Sequence, residues 1–343
     1  MVRWPGRPNR AVLPRGTGDL EDDVGQVTAL ELGDAPYDAA LAVRICWYYF
    51  KEGQTQDAIA QRLGLTRKRV NRILSDARET GIVQITITGP VAPCVALESR
   101  LIARFGLREA VVVPSPAEGM DVRGIVGAAA GRFVSERLAP AAALGITWGG
   151  TIHAAGQNLA RRTGQNNTVV LLCGGLAEST TINPYDNAAS FARALDATCY
   201  YVTAPMHTET RELRDALVRS DPVRRVLAMV ERLDLVLLSA IDLTSHSKAL
   251  EYGVITPELW RSLREAGAVG DICGHYLDAA GRPVDHPIAD RTVGPDLDAL
   301  RMVPQRVLAA GGRHKVAAIR AAIEAGLVHV LITDEAAAHD LLR

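Results

Sequence analysis

From Pro36 the chain carries a dense apolar segment, Leu41, Val43, Ile45, Trp47, Tyr48 and Phe50, which predicts a helix with Lys51 in its last turn and Gly53 as its stop. Thr55 is a residue type that caps helix N-termini, and Ile59, Ala60 and Leu63 then share one face of a short second helix closed by Gly64. Thr66 caps a third helix, whose apolar positions Val70, Ile73, Leu74 and Ala77 recur at three- and four-residue steps. Arg67, Lys68, Asn71, Arg72 and Asp76 fall on its outer side, and Gly81 ends it. Residues 82–88, IVQITIT, alternate apolar and polar, the period of a half-exposed strand. Helix, short helix, tight turn, helix, strand is the plan of a winged helix-turn-helix, here over residues 36–90.

Beyond Cys94 the period changes. Short β-branched runs at 109–114, 142–147, 168–173, 198–203, 234–240, 305–310 and 328–333 alternate with helical stretches such as VRGIVGAAAGRFVSERL and HKVAAIRAAIEAG. Nearly continuous apolar strands separated by helices predict an α/β domain over residues 94–343: a doubly wound, mainly parallel, Rossmann-like sheet covered on both faces. In such sheets ligands bind beyond the carboxyl ends of the strands, so those loops are where a site is expected.

Composition bounds the class. With 343 residues, 48% hydrophobic and 22% charged, the chain can bury a sizeable core. No apolar run reaches the length of a membrane span and the first residues lack the core of a signal peptide, so a cytoplasmic location is expected. Cys46, Cys94, Cys173, Cys199 and Cys273 lie far apart without a CxxC pair, which fits buried thiols; no metal and no cofactor are expected. The net charge is −1, but its placement is uneven. Residues 1–16 are basic and proline-rich and 19–34 acidic, so 1–35 read as a disordered leader.

The third helix gathers Thr66, Arg67, Lys68, Asn71 and Arg72 in its first turns, with Asp76 and Glu79 at the far end. In a major groove arginine reads guanine edges and asparagine reads adenine, so these residues are the DNA-binding candidates. A solvated basic face is the alternative.

Two strand-end loops suit an anion. Gly145-Ile146-Thr147-Trp148-Gly149-Gly150-Thr151 opens the helical stretch HAAGQNLARR. Its glycines let N–H groups converge at a helix N-terminus, Thr147 and Thr151 add hydroxyls, and Trp148 offers an apolar wall. It holds neither a GK[ST] nor a GxGxxG signature, and is either a phosphate cradle or a plain tight turn. Gly311-Gly312-Arg313-His314-Lys315 repeats the arrangement of strand, glycines and helix. Lys315, one of four lysines, opposes the dipole of the helix it begins unless it neutralises an anion; otherwise it reaches solvent. Gly175 and Asn183 follow another strand end. Asp242 and Asp271 are placed to accept hydrogen bonds from sugar hydroxyls, although Asp271 could equally cap local backbone.

TQDAIAQRLGLTRKRVNRILSDARETGIVQITI resembles the DNA-binding module of the SorC family of sugar-responsive bacterial transcription regulators. GITWGGT, GAVGDICGHYLDAAG and AAGGRHKVAAIRAAIEAGLVHVLITDEAAA resemble segments of that family's effector domain. The resemblance implies a phosphosugar-isomerase-like domain whose two glycine loops face one pocket. It implies operator DNA and a sugar, sugar alcohol or sugar phosphate as partners, and a homo-oligomer, dimer or tetramer. Asp242 stands where the family has glycines, which disfavours a second phosphate. A sugar-phosphate isomerase is the rival reading; the fused DNA module weighs against it.

Overall fold

The computed structural model describes residues 39–83, 92–117, 120–176, 183–245 and 247–343. The chain divides into two units, residues 1–86 and 87–343. In the first, helices α1 (Ala39–Phe50), α2 (Gln56–Leu63) and α3 (Arg67–Glu79) follow the apolar pattern. Thr55 and Thr66 are the N-caps, their hydroxyls accepting from the N–H groups of Ala58 at 3.2 Å and Arg69 at 3.3 Å. Gly64 closes α2 at φ +66°, a left-handed conformation that costs an L side chain about 1–2 kcal/mol. The three helices bury Ile45, Ile59, Val70, Ile73, Leu74 and Ala77 together. The predicted wing strand lies, from residue 84 on, outside the described residues, as does the 1–35 leader.

The second unit opens with α4 (Ala92–Phe105) and continues β1 (Glu109–Val113), α5 (Arg123–Arg137), β2 (Ala143–Ile146), α6 (Gly150–Gln157), β3 (Thr168–Leu171), α7 (Pro184–Leu195), β4 (Thr198–Tyr201). Then come α8 (Arg211–Arg219), α9 (Asp221–Ala228), β5 (Leu235–Leu238), β6 (Ala240–Asp242), α10 (Lys248–Glu251), α11 (Pro257–Glu265), β7 (Gly270–Ile272) and β8 (His275–Leu277). Finally α12 (Leu297–Met302), β9 (Gln305–Ala309), α13 (Val316–Glu324), β10 (Val330–Asp334) and α14 (Glu335–Leu341) complete it.

Each of the seven predicted runs supplies one strand of a seven-stranded sheet in the order β1-β10-β9-β5-β2-β3-β4, and every neighbouring pair is parallel. Alternate residues feed two apolar layers: Val169 and Leu171 face one, Val170 and Leu172 the other. At the β1 edge the N–H of Val112 donates to Glu98 of α4 at 2.9 Å, which occupies a group that would otherwise invite another strand. From β2 the chain winds outward through β3 and β4; from β5 it winds the other way through β9 and β10. The β2–β5 boundary is therefore the switch point of the doubly wound sheet.

Two features depart from the expected pattern. The stretch expected as HAAGQNLARR forms a helix that starts earlier, at Gly150, and ends at Gln157. A second, antiparallel sheet, β6-β7-β8, projects beyond the main one. Its strands are three residues long, too short to show a period, and β7 and β8 join through Cys273 and Gly274, both at positive φ.

Candidate functional site

The exposed side of α3 carries Arg67, Lys68, Asn71 and Arg72, with the cap Thr66 also exposed. Its charges are lightly engaged: Arg67 lies 3.7 Å from Asp57, Arg72 Nε is 4.0 Å from Asp76, and Asn71 Oδ1 accepts from Gln56 Nε2 at 3.2 Å. Ion pairs this exposed stabilise little, so the side chains can exchange these partners for phosphates and base edges. The buried faces of α2 and α3 fix the helix, and its polar face is left exposed.

In the second unit the carboxyl ends of β1, β9 and β10, with Ile241 and Asp242 of β6, border a cleft of about 1030 Å³. Lys315 reaches it from a short 3-10 turn ahead of α13, rather than from the helix proper. The side chain is buried, and Nζ donates to the carbonyl of Ala240 at 2.8 Å. Burial pushes its pKa down, and the charge of Asp242 partly offsets that shift. Asp242 is buried, its Oδ1 accepting from the N–H of Thr244 at 3.0 Å and its hydroxyl at 2.5 Å, while Oδ2 is 3.8 Å from His314 Nε2. Burial lowers the pKa of His314 as well. Asp334, the last residue of β10, holds the glycine turn: it accepts from Gly312 N–H at 2.7 Å and from Ser115 Oγ at 2.6 Å. The Gly312 N–H is thereby occupied. Arg313 lines the cleft but pairs with Asp340 at 2.7 Å.

The glycine loop after β2 is put to more structural use than its composition suggested. Gly145 lies within β2, where a Cβ would sit 2.5 Å from Leu233 Cδ1. The hydroxyl of Thr147 accepts from Ser239 N–H at 3.2 Å, and Ser239 Oγ donates to the Trp148 carbonyl at 2.5 Å, so this pair stitches the switch point shut from behind. Trp148 is buried in the core and is not among the residues that line this cleft. Gly149, at φ +116°, caps α6 without any side-chain cap, and Gly150 and Thr151 begin the helix. Gly175 packs against the Tyr185 ring, and Asn183 is the N-cap of α7, accepting from Tyr185 N–H at 3.0 Å; both hold the chain rather than line the cleft. Asp271 shares a face of the small sheet with Ile241, which lines the cleft, and Tyr276. It is buried, its Oδ1 has no hydrogen-bond partner among the described residues, and burial pushes its pKa up to about 7.

Sequence reasoning passed over Asp121, Arg123, Ser247, His314 and Asp334, which also line the cleft. For Arg123 a signal existed: Arg123, Gly127 and Gly131 recur every four residues along one face of α5. That face packs so closely on α6 that a Cβ at Gly127 would lie 2.4 Å from Ala154 Cβ, and one at Gly131 2.5 Å from the Ala155 carbonyl.

A helix-turn-helix with a basic outer face, fused to a doubly wound sheet with a polar cleft at its strand ends, defines a ligand-responsive transcription regulator. Residues 89–343 match the family of sugar-binding domains, and residues 45–80 match sigma-70 region 4, a helix-turn-helix. The chain is 33% identical over 317 residues to the transcriptional regulator LsrR of Klebsiella pneumoniae, covering 90% of this chain and 95% of that protein. It is 30% identical over 312 residues to the erythritol catabolism regulatory protein EryD of Brucella abortus, covering 90% and 98%. The structure of the full-length sorbitol operon regulator SorC from Klebsiella pneumoniae is similar with a TM-score of 0.69 at 25% identity, covering 89% of this chain and 99% of that one. This chain belongs to the SorC family of sugar-responsive, DNA-binding transcription regulators.

Proposed function

We propose that residues 36–90 bind operator DNA through the first turns of α3, and that residues 94–343 bind a singly phosphorylated sugar or sugar alcohol in the strand-end cleft and assemble the chain into a dimer or tetramer. The protein works in the cytoplasm and leaves its effector chemically unchanged. The effector acts by binding the DNA-competent and DNA-incompetent arrangements unequally; only that difference can shift the equilibrium between them. The observation that carries this reading is the buried amine of Lys315 beside the buried carboxylate of Asp242 in one cleft. A cation that has lost its water gains most from an anion, and a carboxylate nearby accepts from hydroxyls but repels a second phosphate. Asp271, although one of its oxygens is unsatisfied, is not among the residues that line the cleft, and the hydroxyl end of the site is assigned to Asp242. As a general base Asp242 is poorly placed, because Oδ1 is already committed to Thr244. The names of the relatives, with erythritol and sorbitol in them, fit a polyol backbone.

Calorimetry of the full chain against tetritols, pentitols and hexitols and their monophosphates tests this. We expect one phosphorylated compound to bind more tightly than its free polyol. Lys315→Met should then weaken that compound by about 1.5–3 kcal/mol, the scale of a charge-assisted hydrogen bond, and leave the free polyol unchanged. Equal binding of phosphate and polyol, untouched by Lys315→Met, would overturn the phosphate assignment.

A further inference from the structure

Arg123 begins α5, and its guanidinium is held along one edge: Nε lies 2.9 and 2.8 Å from the two oxygens of Asp121, and Nη2 is 2.7 Å from Oδ2. Asp121 also accepts from the N–H of Arg123 at 2.9 Å, so carboxylate, backbone and side chain form one rigid turn. The Nη1 edge points at the beginning of α6. A Cβ on Gly150 would lie 2.8 Å from Nη1 and 2.9 Å from Cδ of Arg123, so the side chain lies against the start of this helix. The close α5–α6 packing through Gly127 and Gly131 fixes this approach, because Arg123 stands one turn before Gly127 on the same face. Gly149 supplies no side-chain cap to α6. Across the cleft Ser247 lines the same space, 1% exposed, with a hydroxyl that has no hydrogen-bond partner among the described residues. Arg123 is also close enough to Lys315 and His314 for its charge to act on both.

We propose that Arg123 is the anion-selecting residue of this cleft, its guanidinium binding a phosphomonoester oxygen together with the hydroxyl of Ser247. This rests on the reading of the cleft as a phosphorylated-effector site and adds to it the residue that discriminates charge. Lys315 already spends one donor on the Ala240 carbonyl, and it balances Asp242. Arg123 instead offers a planar fork whose orientation is fixed in advance by Asp121, the geometry that suits phosphate oxygens. Asp121 acts through Arg123, as a positioning residue.

The test uses the full chain and inorganic phosphate as probe, followed by thermal shift and calorimetry, with sulfate-free buffer and the polyol monophosphates in parallel. Arg123→Gln is expected to weaken phosphate binding about ten- to a hundredfold, the equivalent of one charge-assisted hydrogen bond. Arg123→Lys, which keeps the charge but not the fork, should fall between it and the parent chain. A free polyol, where it binds, should be held equally by all three. Phosphate affinity unchanged in Arg123→Gln but abolished in Lys315→Met would overturn the role of Arg123 and leave the effector reading standing. A parent chain that binds neither inorganic phosphate nor any monophosphate would overturn both. If Arg123→Gln weakens phosphate and free polyol alike, the side chain serves only to hold α5 on α6, and the proposal fails.

Discussion

Asp271 illustrates how burial alone alters a side chain. Its partners in space are Cys173, Cys273 and Tyr276, all pushed toward their neutral forms, and no cation is among them to hold the carboxylate ionised. A hydrogen bond from the Gly274 backbone favours the charged form, but desolvation outweighs it and lifts the pKa from 3.8 to about 7. Because the folded value is raised, the stability carried by the protonated form is complete below pH 3.8 and is lost as pH rises through about 7. The slope across that window is at most about 1.4 kcal/mol per pH unit. His207, stacked on Tyr276 and lowered to about 4 by burial, acts in the opposite sense, making the fold more stable as pH rises from about 4 to 6.5. Asp271→Asn separates the two. The stability of the parent relative to this variant, from urea unfolding, should decline between about pH 4.5 and 7 and level off above. A difference independent of pH would show that Asp271 is solvated or paired.

At the scale of elements, α3 and α5 make the same point by different means. In α3 the buried positions decide which residues remain outside, and those residues are polar and basic. We expect Asn71→Ala with Arg72→Ala to weaken binding to the native operator by about 1–3 kcal/mol for each base-reading side chain removed, in gel-shift titration, while effector affinity is retained. Unchanged operator affinity would remove α3 as the reading helix. In α5 the inner face is made of glycines, and their value lies in what they permit, a backbone approach to α6 that places Arg123 over Gly150. Both helices were legible as helices from their periodicity. The partner of α5 was not, since glycine carries no side chain whose chemistry announces a neighbour.

At the scale of the whole molecule, α1 leaves Val43 54% and Trp47 56% exposed, one turn apart on a single face. A single helix-turn-helix makes few contacts with DNA, and two joined in a symmetric pair engage two half-sites with a large gain in affinity. We expect light scattering at micromolar concentration to give a dimer or tetramer of the 36.8 kDa chain; a monomer throughout would refute this. Charged substitution at Trp47 would then identify whether α1 takes part.

The helix-turn-helix core, its caps, the basic face of α3 and all seven strands of the parallel sheet were legible in the sequence, because these follow from local period and from residue types with one strong conformational use. It also placed Lys315 and Asp242 at strand ends, where a doubly wound sheet must have its crevice. Which polar groups face that crevice depends on the folded arrangement of the elements. Thr147 and Asn183 carry the right atoms for a ligand, yet the N–H of Ser239, distant in sequence, and that of Tyr185, two residues on, claim them first. Arg123 and Asp334 come to the cleft from elements whose adjacency depends on strand order and on two glycines in a helix. A hydrogen-bonding group belongs to whichever partner reaches it at the lowest cost, and that competition is settled by three-dimensional proximity, which a linear pattern does not encode.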